Sequence, residues 1–171
     1  MRVIVDANIV FSGILNSNGK IGDLRINSEK HFDFIAPDFL RSEIYKHYQR
    51  LSKISGLKID QIREAEFQIC KDMKFISEEQ IKEATWIAAV KLVADIDPKD
   101  THYVAYSKHF RCKIWSGDKK LIKGLAKKGF TKFYYNRRAI FNTTKMMNGA
   151  KLMCFHSACS LPLWAFCYLC A

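Results

Sequence analysis

The sequence predicts an α/β protein, a three-layer α/β/α sandwich around a central, mainly parallel sheet. Three observations carry this expectation. Strand-like and helix-like stretches alternate along the chain, the pattern of a parallel sheet covered by helices. Two short apolar runs lead directly to acids, Val3-Ile4-Val5 to Asp6 and Ile114-Trp115-Ser116-Gly117 to Asp118. The chain has 171 residues, 49% of them hydrophobic, which suits one domain with a substantial core.

Residues 2–5 read as the first strand and 7–15 as the helix after it. Residues 33–36 (Asp-Phe-Ile-Ala) read as a second strand, and Pro37-Asp38 opens a helix with proline near its start. Leu40, Ile44, Tyr48 and Leu51 fall on one stripe at helical spacing, which predicts a single helix up to Ser55-Gly56. A further helix is expected over 58–72 and a short strand near 73–76. Ser77 reads as an N-cap, with Gln80 completing a capping-box pattern. The helix it opens is expected to carry Ile81, Ala84, Ala88 and Leu92 on one side. After Asp97-Pro98-Lys99-Asp100 come a helix over 101–110, a strand over 113–116 and a helix over 119–128. Gly129 stops that helix, and a last strand is expected over 131–135. No internal repeat or linker-like stretch interrupts the series.

Charge is distributed unevenly. There are 28 Lys and Arg against 17 Asp and Glu, a formal net charge of +11. After Asp118 there is no acidic residue, while ten Lys or Arg follow it, from Lys119 to Lys151. Such a surface attracts polyanions such as nucleic acid, or anionic membranes. Against this basic background four acids stand out: Asp6, Glu43, Asp100 and Asp118. Each has an ordinary explanation. Asp100 and Asp118 sit where helix N-caps belong, and Glu43 has His47 one turn on as a potential partner. Asp6 is harder to dismiss, because an acid directly after a buried strand needs a partner. As a set, carboxylates gathered at the carboxyl edge of a parallel sheet repel one another unless a cation neutralises them. Hard divalent cations take oxygen ligands, and three or four carboxylates suffice.

The residues then reach a known family. Val-Asp-Ala-Asn-Ile-Val (5–10), Ser42-Glu43, Asp97-Pro98-Lys99-Asp100 before an apolar helix, and Ile-Trp-Ser-Gly-Asp-Lys-Lys-Leu (114–121) together resemble the PIN domain. Four separate motifs agree in order and spacing, from residue 1 to about 135. The resemblance implies a metal-dependent ribonuclease; many bacterial members are VapC-like toxins held in check by an antitoxin. It implies that Asp6, Asp100 and Asp118 ligate Mg²⁺ or Mn²⁺, with Glu43 contributing directly or through water, and that the four are the catalytic acids. Asn8 and Ser116 match supporting polar positions, and Asp97 either assists or replaces Asp100. RNA is the implied substrate, an antitoxin the implied partner, and dimerisation an expectation of the same origin. Lys119, Lys120, Lys127, Lys128 and Lys132 are candidates for RNA phosphates, and His102, His109 and nearby aromatics for base stacking. Two competing functions are a non-catalytic RNA-binding module and an aspartyl phosphotransferase using Asp6. The second expects an acid where Asn8 stands, and Asn8 cannot transfer a proton.

The nuclease-like part is expected to cover 1–142, with 143–171 as an apolar, Cys-rich tail of unknown role. From Leu152 to Ala171 only His156 is even potentially charged. Cys154, Cys159, Cys167 and Cys170 offer soft ligands, but only Cys167 and Cys170 have metal-site spacing. Ser, His and Pro162 argue against a membrane span. The N-terminal apolar run is too short for a signal peptide, so the expected location is the cytoplasm, with reduced thiols.

Overall fold

The computed structural model describes residues 1–16 and 32–134. The tail at 143–171, and the boundary expected at 142, lie outside the described residues.

Four strands form one sheet: β1 (Arg2–Val5), β2 (Asp33–Pro37), β3 (Lys74–Ile76) and β4 (Lys113–Trp115), in the order β3-β2-β1-β4. Every pairing is parallel, with Ile4 opposite Ile35 on one side and Ile114 on the other. Successive side chains point to opposite faces of a strand, so both faces of β1 must be covered. Val3, Val5, Phe34, Ala36 and Trp115 enter one apolar cluster; Ile4, Ile35 and Ile114 enter another. The near-continuous apolar runs of β1 and β2 are the signature of strands buried on both sides. Each fully buried Ile or Val contributes about 1.5–3 kcal/mol.

Seven α-helices among the described residues make the two outer layers. On the first face lie α1 (Ala7–Leu15), α2 (Phe39–Lys46), α3 (Tyr48–Ser55) and α4 (Ile59–Cys70). They bury Val10, Ile14, Leu40, Ile44, Leu51, Ile62 and Ile69 in the first cluster. The second face is covered by α5 (Glu83–Val93), α6 (Thr101–Phe110) and α7 (Lys119–Lys127), through Ala89, Val93, Val104, Tyr106, Leu121 and Leu125. The architecture is the expected three-layer sandwich, with an all-parallel sheet.

Local differences from the sequence expectations have identifiable causes. The single helix expected after Pro37 is broken at His47, which leaves helical geometry (φ −98°, ψ 1°). There the His47 ring packs edge-on against Phe11 of α1, centroids 5.3 Å apart, so a tertiary contact coincides with the break in a continuous apolar stripe. Ser77 does cap, accepting from the Glu79 N–H, but it opens a 3₁₀ turn over Glu78–Gln80. The helix α5 starts only at Glu83, and its fully buried positions, Ala89 and Val93, lie one residue on from the expected Ala88 and Leu92, with Ala84 exposed. The strand expected over 131–135 is a single parallel bridge, Ile114 with Phe133, among the described residues. Gly129 ends α7 with φ 79°, in the left-handed region glycine adopts without penalty.

Candidate active site

From β1 the sheet grows outward through β2 to β3, and the chain then returns to the far side of β1 as β4. That reversal leaves a crevice beyond the carboxyl ends of β1 and β4, where open α/β sheets place their ligands. Asp6 leaves β1 into it, and Ser116-Gly117-Asp118 leaves β4 into it. The backbone N–H of Asp6 still donates to the Trp115 carbonyl at 3.1 Å, so the two strand ends stay in register as far as the acids.

Asp6 is only 4% exposed. Its carboxylate is held by Asn8, whose Nδ2 donates to Asp6 Oδ2 at 2.7 Å and to Ser116 Oγ at 3.2 Å. Asn8 Oδ1 in turn accepts from the Gly117 N–H at 3.0 Å. One amide thus ties the loops after β1 and β4 together. Asp118 is the N-cap of α7: its Oδ1 accepts from the N–H groups of Lys120 and Leu121, at 2.6 and 3.1 Å. Its own N–H donates to Ser116 Oγ at 3.0 Å.

Asp100 ends the 3₁₀ turn Pro98–Asp100 and precedes α6, yet its side chain makes no capping hydrogen bond. Asp97 does the capping instead, with Oδ1 accepting from the Lys99 N–H at 3.0 Å. Of the two acids opening this helix, Asp97 is therefore occupied by its own backbone and Asp100 is not. Glu43 arrives from α2, in the opposite layer. The Tyr103 hydroxyl lies 3.5 Å from Glu43 Oε2 and accepts from the Ala7 N–H at 3.2 Å. Tyr103 is one turn beyond Asp100 on α6, so this hydroxyl links α6, the start of α1 and Glu43.

The electrostatics identify these acids as neighbours. Burial, above all, pushes Asp6 up to about 7; hydrogen bonds from Ser116 and Asn8 oppose this, while the charges of Glu43 and Asp118 add to it. Asp100 rises to about 8, through burial first and then the charges of Asp6, Asp97, Asp118 and Glu43. Burial also raises Glu43, offset by the Tyr103 hydrogen bond and by Lys46 and Lys99. Among the described residues, no Lys, Arg or His forms an ion pair with any of the four.

This donor set fits a divalent cation chemically. It offers oxygen only, is closed by no protein ion pair among the described residues, and grows more acidic as soon as a positive charge enters. As the side chains stand, no three His, Cys, Asp or Glu groups among the described residues close on a single point. An ion that keeps several of its own waters suits so loose a set better than a dehydrated one.

The other expected residues scatter. Asn8 and Ser116 are at the site, and Lys119 and Lys120 are exposed at the start of α7, beside Asp118. Lys127 lies at the far end of α7, about 12 Å along the helix. Lys128 Nζ donates to the Leu92 carbonyl at 2.6 Å and pairs with Asp95, fastening α7 to α5. Tyr103, Tyr106 and Trp115 are buried. The His102 ring packs between Phe39 and Trp86, with centroids 4.2 and 4.9 Å away. The role of Tyr103 beside Glu43 was not foreseen from the sequence; its position one turn after Asp100 was the available signal.

The profile of the PIN domain family matches residues 4–148. The chain belongs to the PIN domain family. No curated protein matches it. PIN domains are generally nucleases and generally use divalent metal ions, which is the chemistry that this acid cluster suits. Among the described residues, no helix is long and apolar enough to cross a membrane.

Proposed function

We propose that this PIN domain is an Mg²⁺- or Mn²⁺-dependent endoribonuclease, and that it acts as the toxin of a toxin–antitoxin pair. One observation supports the catalytic part: four carboxylates from four chain segments face the sheet's switch point, where burial and neighbouring acids push Asp6 and Asp100 up, and among the described residues no Lys, Arg or His closes an ion pair with any of the four. A non-catalytic RNA-binding module would have no use for that electrostatic cost.

Asp6, Asp100 and Asp118 would hold the cation, with Glu43 at its edge. When bound, such an ion polarises the phosphodiester and lowers the pKa of a water molecule. Water adds to phosphorus, the phosphorus–oxygen bond to the next nucleotide breaks, and the leaving oxygen takes up a proton. The chain's own part is to keep the acids in position. Asn8 fixes the Asp6 carboxylate, the α7 backbone fixes Asp118, and Tyr103 holds Glu43 near α1. The Asp118 oxygen not used in capping stays available. Family membership and the basic body support RNA as the polyanion, and an antitoxin that covered the acid edge would block all four groups at once.

The test is cleavage of RNA by the purified chain with Mn²⁺. The parent is expected to cut, with at least a 100-fold loss in Asp6→Asn and Asp118→Asn; if both variants cut at the parent's rate, the assignment is wrong. The toxin reading predicts growth arrest on expression, abolished by Asp6→Asn.

A further inference from the structure

An RNA strand approaching this site meets four carboxylates, and distant charges of the net +11 help little there, because salt screens exposed charges beyond about 10 Å. Cations close to the acids are therefore needed to seat a phosphate. Lys119 and Lys120 fill that need on the Asp118 side. On the Glu43–Asp100 side two further lysines meet the same requirement.

Lys46 lies on α2, one turn beyond Glu43 and so on a neighbouring position of the same helical surface. Lys99 lies in the 3₁₀ turn immediately before Asp100. The two are far apart in sequence, but the Tyr103–Glu43 contact joins the segments that carry them. Both lysines act electrostatically on Glu43 and on His47. Both are exposed, and neither forms an ion pair among the described residues. Lys128 and Lys74, by contrast, are taken up by Asp95 and Asp33. An ammonium kept beside an acid cluster, without closing on any carboxylate, is available to a polyanion.

We propose that Lys46 and Lys99 bind RNA phosphates adjacent to the one that is cut, on the Glu43–Asp100 side of the site. This assignment rests on the nuclease reading above. Together with Lys119 and Lys120 on the other flank, they hold the strand across the acids from both sides. They are positioning residues for the substrate, and the acids alone carry the chemistry.

The experiment uses the full chain and a labelled oligouridylate, with binding measured in EDTA over a range of KCl and cleavage measured with Mn²⁺. The Lys46→Gln/Lys99→Gln double variant is compared with Lys71→Gln/Lys113→Gln, which removes the same charge elsewhere, Lys71 being exposed at the end of α4 just before the amino end of β3. Lys113 is exposed at the amino end of β4, opposite the edge that carries Asp118. Each lost phosphate contact lowers the slope of log K against log salt by about 0.7 for a single strand, so the first double variant should lose about 1.4. Its binding should weaken roughly 10-fold or more and its KM rise in step, with kcat within about twofold of the parent. The control should change each quantity less than about twofold. The proposal is overturned if the parent does not bind, if the first double variant binds with the parent's slope, or if the control weakens equally. A parent that binds through these lysines yet cuts nothing sinks the nuclease reading alone. A parent that cuts while the first double variant keeps its KM sinks only the lysine assignment.

Discussion

Asp100 should make the metal-free protein less stable at neutral pH, and replacing it by asparagine should reverse this. Its pKa is about 8 in the fold against an ordinary 3.8. A folded value raised above the unfolded one contributes stability that is fully present below pH 4 and is lost as the pH rises to 8. Each pH unit in that window is worth about 1.4 kcal/mol, so at pH 7 the wild type carries a penalty of roughly 4 kcal/mol from this group. Water reaches the partly exposed carboxyl, and screening reduces the expected net figure to about 2 kcal/mol. Asparagine keeps the shape, cannot ionise, and forfeits no capping bond, because Asp100 makes none. For a chain of this size about 2 kcal/mol corresponds to about 6 °C in Tm. Thermal melts in EDTA should therefore place Asp100→Asn about 6 °C above the parent at pH 7, with the gap closing at pH 4. Saturating Mn²⁺ should reverse the order at pH 7, since an ion that binds only the native parent stabilises only the parent. Equal melting at pH 7 in EDTA, or a gap unchanged at pH 4, would refute the reasoning.

Other consequences are as direct. Asn8→Ala removes both donors to Asp6 and Ser116 and the acceptor for Gly117 N–H; a loss of about 2 kcal/mol in denaturant unfolding is expected, with cleavage reduced at least 10-fold. Tyr103→Phe leaves the buried Ala7 N–H without its acceptor and should cost about 1–3 kcal/mol, while releasing Glu43 and lowering kcat more than it raises KM. Lys128→Ala should lower stability by up to about 1 kcal/mol and leave RNA binding unchanged, because its ammonium is spent on Asp95 and the Leu92 carbonyl. Gly124→Ala places a methyl 2.7 Å from Ile96 Cδ1 and 2.9 Å from its Cγ1, so a melt should report a loss of about 1–3 kcal/mol.

What the sequence disclosed depended on the range of the interaction. Buried parallel strands leave runs such as Val3-Ile4-Val5, and an acid that ends such a run is visible without coordinates. Asp118 announced itself in the same way, and both lie where the strand ends carry them. The break at His47 was hidden, because the stripe Leu40-Ile44-Tyr48-Leu51 continues through it and only the distant Phe11 ring distinguishes the position. Asp97 and Asp100 both open one helix, and in the sequence only the offset to Tyr103-Val104-Ala105 favours Asp100; the hydrogen bond that Asp97 accepts from the Lys99 N–H separates them physically. Lys128 looked like its neighbours in a basic stretch until Asp95, on another helix, took it up. Lys46 and Lys99 drew no attention at all, since nothing local says that their segments meet through Tyr103 and Glu43.

Topology, more than any single residue, makes the acid cluster. Asp6 and Asp118 stand 112 positions apart in the chain and are brought to adjacent strand ends because β4 is laid beside β1. Had β4 been added outside β3, three strand spacings would separate the two acids, about 14 Å, too far to share one hydrated ion. Asp118 would then remain a good N-cap and Asp6 a poorly placed buried acid, with burial still raising its pKa. The local roles of these residues would survive the rearrangement and the proposed chemistry would not. Asn8 is where this dependence is physically expressed, since its single amide bonds to Asp6 from one strand and to Ser116 and Gly117 from the other.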